Sequence, residues 1–175
     1  LEVLLDGPVY GELADQIFAE TQGNPFFVEE VVKSLIGRNA LQRQDNVWKP
    51  EEGMDLYVPQ SIQVAIGKRI TRLSEDARDL LTRAAVQGHV FNVDVLQSVL
   101  DWDEDRVLDA LEEVENAQLI HDSEGGDDEH YHFEHALTAQ VLYEGINLRR
   151  RSRLHHQTGD AIETVFARKI EDMVE

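Results

Sequence analysis

The sequence predicts a mainly α-helical chain with two short β-hairpins, and three observations carry that reading. Apolar residues recur at three- and four-residue spacing through most of the chain, the period of a helix face. Asn24, Pro59, Ser74, Asn92 and Asp103 stand at the starts of such segments, where capping or a fixed backbone angle favours helix entry. Strand-like alternation is confined to residues 41–50 and 118–133.

Taken in order, Leu13, Ile17, Phe18 and Thr21 fall on one face of a helix over 11–21, which Gly23 ends. Asn24 caps the next helix with Pro25 at its first position, and Phe27, Val28, Val31, Val32, Leu35 and Ile36 give a broad apolar stripe closed by Gly37. Residues 41–50 read as two strands around Asp45-Asn46, with Trp48 in the second. Pro59 opens a helix whose inner face is Ile62, Ile66, Ile70 and Leu73. Ser74 caps a further helix, with Glu75 and Asp76 suited to the positive end of its dipole and Leu80, Leu81, Ala84 and Ala85 inside. Asn92 caps a short helix carrying Val95, Leu96, Val99 and Leu100, and Asp103 caps one carrying Val107, Leu108, Leu111 and Val114. Strands at 118–121 and 130–133 follow, joined by the polar linker Asp122–Glu129 with Gly125-Gly126 at its middle. A helix from about 136 to 146 precedes a long one from about 149.

The bulk composition excludes several function classes. The 175 residues suffice for a real core, and the absence of Cys removes disulfides, thiolate metal sites and Cys nucleophiles. No apolar run approaches the ~20 residues needed to span a bilayer, and no signal peptide is visible, so the expectation is a cytoplasmic protein without membrane contact. The chain starts at Leu1 and ends in a helical run, which reads as a piece of a longer protein. The formal charge of −19 divides as −4 over residues 1–74, −15 over 75–134 and zero over 135–175. The acidic block is either solvated surface or a field that repels phosphate backbones and acidic membranes.

Three helices followed by a β-hairpin is the order of a winged helix, here expected over 74–147. Its third helix would be the DNA-reading one, yet residues 103–117 carry seven carboxylates against Arg106 alone. Specific DNA binding draws much of its affinity from neutralised phosphates, so this unit is expected to contact protein, not DNA. No phosphate-cradling loop is present: Gly67-Lys68 comes nearest, but Arg69 follows it and Ile62 stands where the first Gly belongs.

Four motifs in order resemble a known family. Gly23-Asn24-Pro25-Phe26-Phe27-Val28-Glu29-Glu30 is similar to the signature in the lid of STAND-type P-loop ATPases, a branch of the AAA+ group. Val58-Pro59-Gln60-Ser61-Ile62-Gln63, with Arg69–Ser74, resembles that family's next lid segment. Phe133-Glu134-His135-Ala136-Leu137, followed by Val141-Leu142-Tyr143, resembles its winged-helix motif, and Arg149–His156 its lead-in to tetratricopeptide-like repeats. Such modules occur in bacterial LuxR-type regulators and in ATPase-linked nucleotide cyclases. The resemblance implies a helical lid over 1–73, a winged helix over 74–147 and the start of a helical repeat region over 148–175. It implies that Pro25 packs on adenine, with Gly23 allowing close approach, and that His135 contacts the β-phosphate of ADP and holds the closed, inactive state. Ala136 stands where eukaryotic immune relatives carry Asp; the bacterial branch usually has Ala. The implied cofactor is ADP or ATP in the parent protein, with none bound tightly by this segment and no enzymatic activity of its own. The implied partners are a nucleotide-binding core in the same polypeptide and effector or repeat domains.

Plainer readings stand beside these. Asn-Pro is a common helix start, and a His at a strand–helix junction is often a satisfied polar residue. His130 and His132 share a strand face and suggest either surface or, with Glu134 or His135, a metal site; no metal is expected. The Arg149–Arg153 cluster pairs either with an acidic partner or with the chain's own acidic block. The alternative for the whole is a stand-alone acidic protein-interaction winged helix without nucleotide.

Overall fold

A computed structural model describes residues 1–44, 46–51, 58–123 and 130–172, with the side chains of the last helix as far as residue 167. Asp45, one of the two expected turn residues of the first hairpin, lies outside the described residues, as does the Gly125-Gly126 linker from Glu124 to Glu129. The described fold is mainly α, with short antiparallel strands among the helices. It divides into two compact units, residues 1–67 and 68–175.

In the first unit, α1 (Glu2–Leu5), α2 (Gly11–Thr21) and α3 (Pro25–Gly37) precede the hairpin β1 (Leu41–Gln44) and β2 (Val47–Pro50), and α4 (Gln60–Ile70) begins. The core is made by Leu13, Ile17, Val31, Val32, Leu35, Val58, Ile62 and Ile66. Asn24 caps α3 by accepting from the Phe26 and Phe27 amides, at 3.1 and 3.4 Å. The hairpin pairs Arg43 with Trp48, and Trp48 ties it back to the N-terminal segment. Its indole donates to the Leu5 carbonyl at 2.7 Å, and its backbone exchanges bonds with Pro8 and Tyr10 at 2.9 Å each. Gly67-Lys68 lies inside α4, a helix rather than a phosphate loop.

The second unit runs α5 (Glu75–Gln87), β3 (Val90–Asn92), α6 (Val93–Leu100), α7 (Glu104–Asn116), β4 (Ile120–Asp122), β5 (His130–Phe133), α8 (Ala136–Gly145) and α9 (Leu148–Asp172). The sheet order is β3-β5-β4, antiparallel throughout, with Phe133 opposite Ile120 and Tyr131 opposite Phe91. Leu80, Leu81, Ala84, Phe91, Leu96, Leu111, Val114, Leu119, Ile120 and Phe133 form its core. Ser74, Asn92 and Asp103 all cap as the sequence predicts, accepting from the amides of Ala77, Val95 and Arg106. The Ser74 cap is itself fixed: Glu113 on α7 accepts from the Ser74 amide and hydroxyl at 2.8 and 2.6 Å. Within this unit α9 buries Leu154 with Val86 and Ile146, and Ala161 and Val165 with Val95.

Five details depart from the sequence reading. Phe18, Ile36 and Leu108, assigned to inner helix faces, are exposed at 64, 47 and 52%. Each lies at the margin of an apolar arc wider than the neighbour that covers it, so only the arc's centre is buried. Helix α1 and strand β3 were not expected: β3 has three residues and exists only through pairing with β5 some forty residues away. Among the described residues no helix is long and apolar enough to cross a membrane.

Candidate functional site

In the first unit, the turn between α2 and α3 builds a cleft. Gln22 and Gly23 both take left-handed backbone angles, φ 47° and 74°. At Gly23 a side chain would meet strain from that angle and the Phe18 ring, whose Cε2 lies 3.2 Å from where a Cβ would stand. Pro25 follows as the first residue of α3, its missing N–H costing nothing there. Gly23 and Pro25 share the walls of one cleft of about 480 Å³ with Leu4, Ile17, Phe18 and Val28. Among the described residues Glu29 is the one charged side chain lining it, and Lys33 engages that carboxylate at 2.7 Å. Mostly apolar walls of this size suit a flat ring more than a charged group. Phe18 is a wall residue that the sequence reading placed on the inner face of α2, and its periodicity gave no signal to the contrary.

His135 belongs to the second unit, and its surroundings are described there. It is the N-cap residue of α8, in extended conformation after β5. Its carbonyl accepts from the Thr138 amide at 2.8 Å, and the preceding Glu134 amide is anchored on the Leu119 carbonyl at 2.9 Å. Arg69 is fixed by the carbonyls of Ala117 and Gln118, at 2.8 and 3.1 Å. Burial pushes the imidazole below its ordinary pKa; Glu134 pulls the other way, and the charges of Arg69 and His89 add to the depression. A neutral ring at a helix N-terminus still donates one hydrogen bond, so contact with an anion does not require protonation.

Three further histidines line up across the sheet. The His121 and His132 rings stack at 5.4 Å and 8°, and His89 meets His132 edge-on at 6.0 Å. Glu134 lies 3.2 Å from His121 Nδ1, and His130 Nε2 lies 3.4 Å from Asn92 Nδ2. No group of three or more His, Asp or Glu among the described residues is placed to hold a metal. The arrangement has a pH consequence. Burial, then the charges of His132 and His121, pushes His89 down, partly offset by the bond involving the Phe133 backbone. His89 and His135 thus bind protons less readily folded than unfolded. Their contribution to stability is complete above the ordinary imidazole value of about 6.5 and is lost as pH falls below it toward the folded value. Urea unfolding at pH 7.5 and 5.5 is expected to show a fall on the acid side that shrinks in His89→Gln. An unaltered fall in that variant would refute the assignment, since relief of the overall acidic charge acts on both proteins alike.

Two arginines of the 149–153 cluster bond within the chain. Arg150 bonds Asp79 at 3.2 Å, and Arg151 caps the end of α8 through the carbonyls of Tyr143, Glu144 and Ile146 while stacking on the Tyr143 ring at 4.1 Å. Arg106 forms a two-pronged pair with Asp76, at 2.9 and 2.7 Å, and lies over Trp102 at 4.0 Å. The outer face of α7 is left with Glu104, Asp105, Asp109, Glu112 and Glu115 around the exposed Leu108.

A family described as a domain of unknown function (DUF8739) matches residues 7–49. That span runs from just before the Val9–Trp48 bridge to just after it, and so takes in α2, α3 and the hairpin, closed on itself at both ends. No curated protein matches the chain.

Proposed function

We propose that the chain is the lid and winged-helix portion of a STAND-type signalling ATPase, contacting ADP or ATP held by a P-loop core elsewhere in the polypeptide. In this reading residues 1–73 are the lid, 74–147 the winged helix and 148–175 the start of a helical repeat region. The observation that carries it is the shared cleft of Gly23 and Pro25, the two lid residues the motif assigns to adenine, with mostly apolar walls. The position of His135 at the start of α8 supports the phosphate contact, because backbone N–H groups and the helix dipole favour an anion there. The order α5-β3-α6-α7-β4-β5 with a three-stranded antiparallel sheet supports the winged helix.

Mechanistically the segment is a switch part, not a catalyst. In this reading Pro25 and the Phe18 wall would pack on the adenine ring, and His135 would donate to the β-phosphate. ADP held by these residues would favour the closed state, and its exchange for ATP would release it. The free energy of that shift comes from contacts the two nucleotides make differently in the two states. The acidic face of α7 supports a protein partner and opposes duplex DNA, since its one Arg is paired with Asp76. The setting proposed is cytoplasmic.

The test is nucleotide content of the full polypeptide. His135→Ala is expected to weaken ADP about ten- to a hundredfold, the loss of one hydrogen bond to a charged group, and to raise basal signalling. Wild-type protein that purifies with ADP, and a variant that retains it equally, would overturn the role of His135. A polypeptide that never binds adenine nucleotide would favour the second reading, a stand-alone interaction module whose docking face is the acidic surface around Leu108.

A further inference from the structure

We infer that the second unit carries a separate small-molecule site, between α5, α8 and α9, for an uncharged planar nitrogen heterocycle. A cleft of about 350 Å³ opens there, in the size range of small-ligand sites. Its apolar lining is Ala85 and Val86 on α5 with Ala136 and Ala139 on α8, short side chains that leave room for a ligand. Gly88 ends α5 at φ 125°, ψ −155°, an angle pair that side chains do not tolerate, and leaves the open edge without a side chain.

The polar residues lining it are His89, Gln140, Tyr143 and His155. Among the described residues lining the cleft there is no Lys, Arg, Asp or Glu. A charged ligand would therefore lose its hydration without gaining a partner of opposite sign. Neutral imidazole, amide and phenol each donate and accept, which matches the mixed edge of a nitrogen heterocycle. The polar lining is preorganised. The Tyr143 hydroxyl and His155 Nε2 are 2.9 Å apart with the rings edge-on, and the Arg151 guanidinium lies on the Tyr143 face. Arg151 is held in turn by three carbonyls at the end of α8, so the phenol is fixed before a ligand arrives. Burial pushes the His89 imidazole below its ordinary pKa, which favours the uncharged ring. None of these residues lines the Gly23–Pro25 cleft, so the inference stands independently of the nucleotide reading.

Benzimidazole, flat and uncharged at pH 7.5, is the probe. Titrated into the ¹⁵N-labelled 175-residue chain, it is expected to give saturable amide shifts confined to 85–89, 136–143 and the neighbourhood of His155. Ala136→Phe, which fills the slot from a partly exposed position, is expected to weaken binding at least about tenfold. Tyr143→Phe keeps the ring and removes the edge hydroxyl, and is expected to weaken it about threefold to tenfold. Indene, of the same shape without nitrogen, is expected to bind less tightly than benzimidazole. Shifts that fail to saturate, that map outside these segments, or that survive both substitutions in a well-dispersed spectrum overturn the site. Equal binding of indene overturns the heterocycle assignment.

Discussion

Replacing Phe133 by alanine is expected to remove about 3–5 kcal/mol from the unfolding free energy of the second unit, the range for a buried aromatic truncated in a core that cannot collapse onto it. Phe133 is fully buried. Its strand is the central one of three, its ring lies 5.6 Å from that of Phe91, and its register partner is the buried Ile120. The backbone has no slack to close the gap, since the Phe133 amide bonds the His89 carbonyl at 2.9 Å and the next amide bonds Leu119. Small domains have only about 5–15 kcal/mol in total, so the variant is expected to approach unfolding in mild denaturant. Leu108→Ala is the control: also a large apolar side chain, but more than half exposed on α7, and expected to change stability by no more than about 0.5 kcal/mol. Urea denaturation of both reads the comparison directly, and similar losses would mean that the sheet does not bury Phe133 as described. The same substitution also bears on the site, because His135 is placed two residues later by the strand that Phe133 anchors.

What was legible in the sequence was what local chemistry decides. Asn24, Ser74, Asn92 and Asp103 cap because a short side-chain acceptor at a helix start reaches the amide two or three residues on, whatever the rest of the chain does. The helix cores were legible for the same reason: Ile17, Leu80 and Val114 sit at the centres of their arcs and are buried. The margins were not. Phe18 and Leu108 have the same periodicity as their buried neighbours, and only the width of the covering element separates them. Features made by distant pairing were also hidden. Strand β3, the His89–His132–His121 row and the Arg150–Asp79 bond join residues about ten to seventy positions apart, with no local pattern to announce them. The candidate site follows the same division. Pro25 was readable as a helix start and His135 as a strand–helix junction, but the cleft beside Pro25 depends on the left-handed turn and the outward Phe18, and its existence is a tertiary fact.

Ile17→Ala is expected to cost the first unit about 2–5 kcal/mol, and for a unit of this size that approaches its whole stability. Ile17 is fully buried on α2, and it also lines the cleft that carries Gly23 and Pro25. Its carbonyl accepts the Thr21 hydroxyl at 2.6 Å within the buried last turn of α2, just before the left-handed pair that aims the chain into α3. Truncation therefore loosens the packing and the turn together. Amide exchange over residues 11–35 should accelerate by at least about a hundredfold, the equivalent of some 3 kcal/mol in a local opening equilibrium. The informative partner is Phe18→Ala. The side chain is larger and adjacent in sequence, yet mostly solvent-exposed, so its removal should leave exchange nearly unchanged while taking away one wall of the cleft. If instead Phe18→Ala accelerates exchange as much as Ile17→Ala does, Phe18 is a core residue, the cleft beside Gly23 closes, and the ring-binding role of Pro25 loses its structural basis.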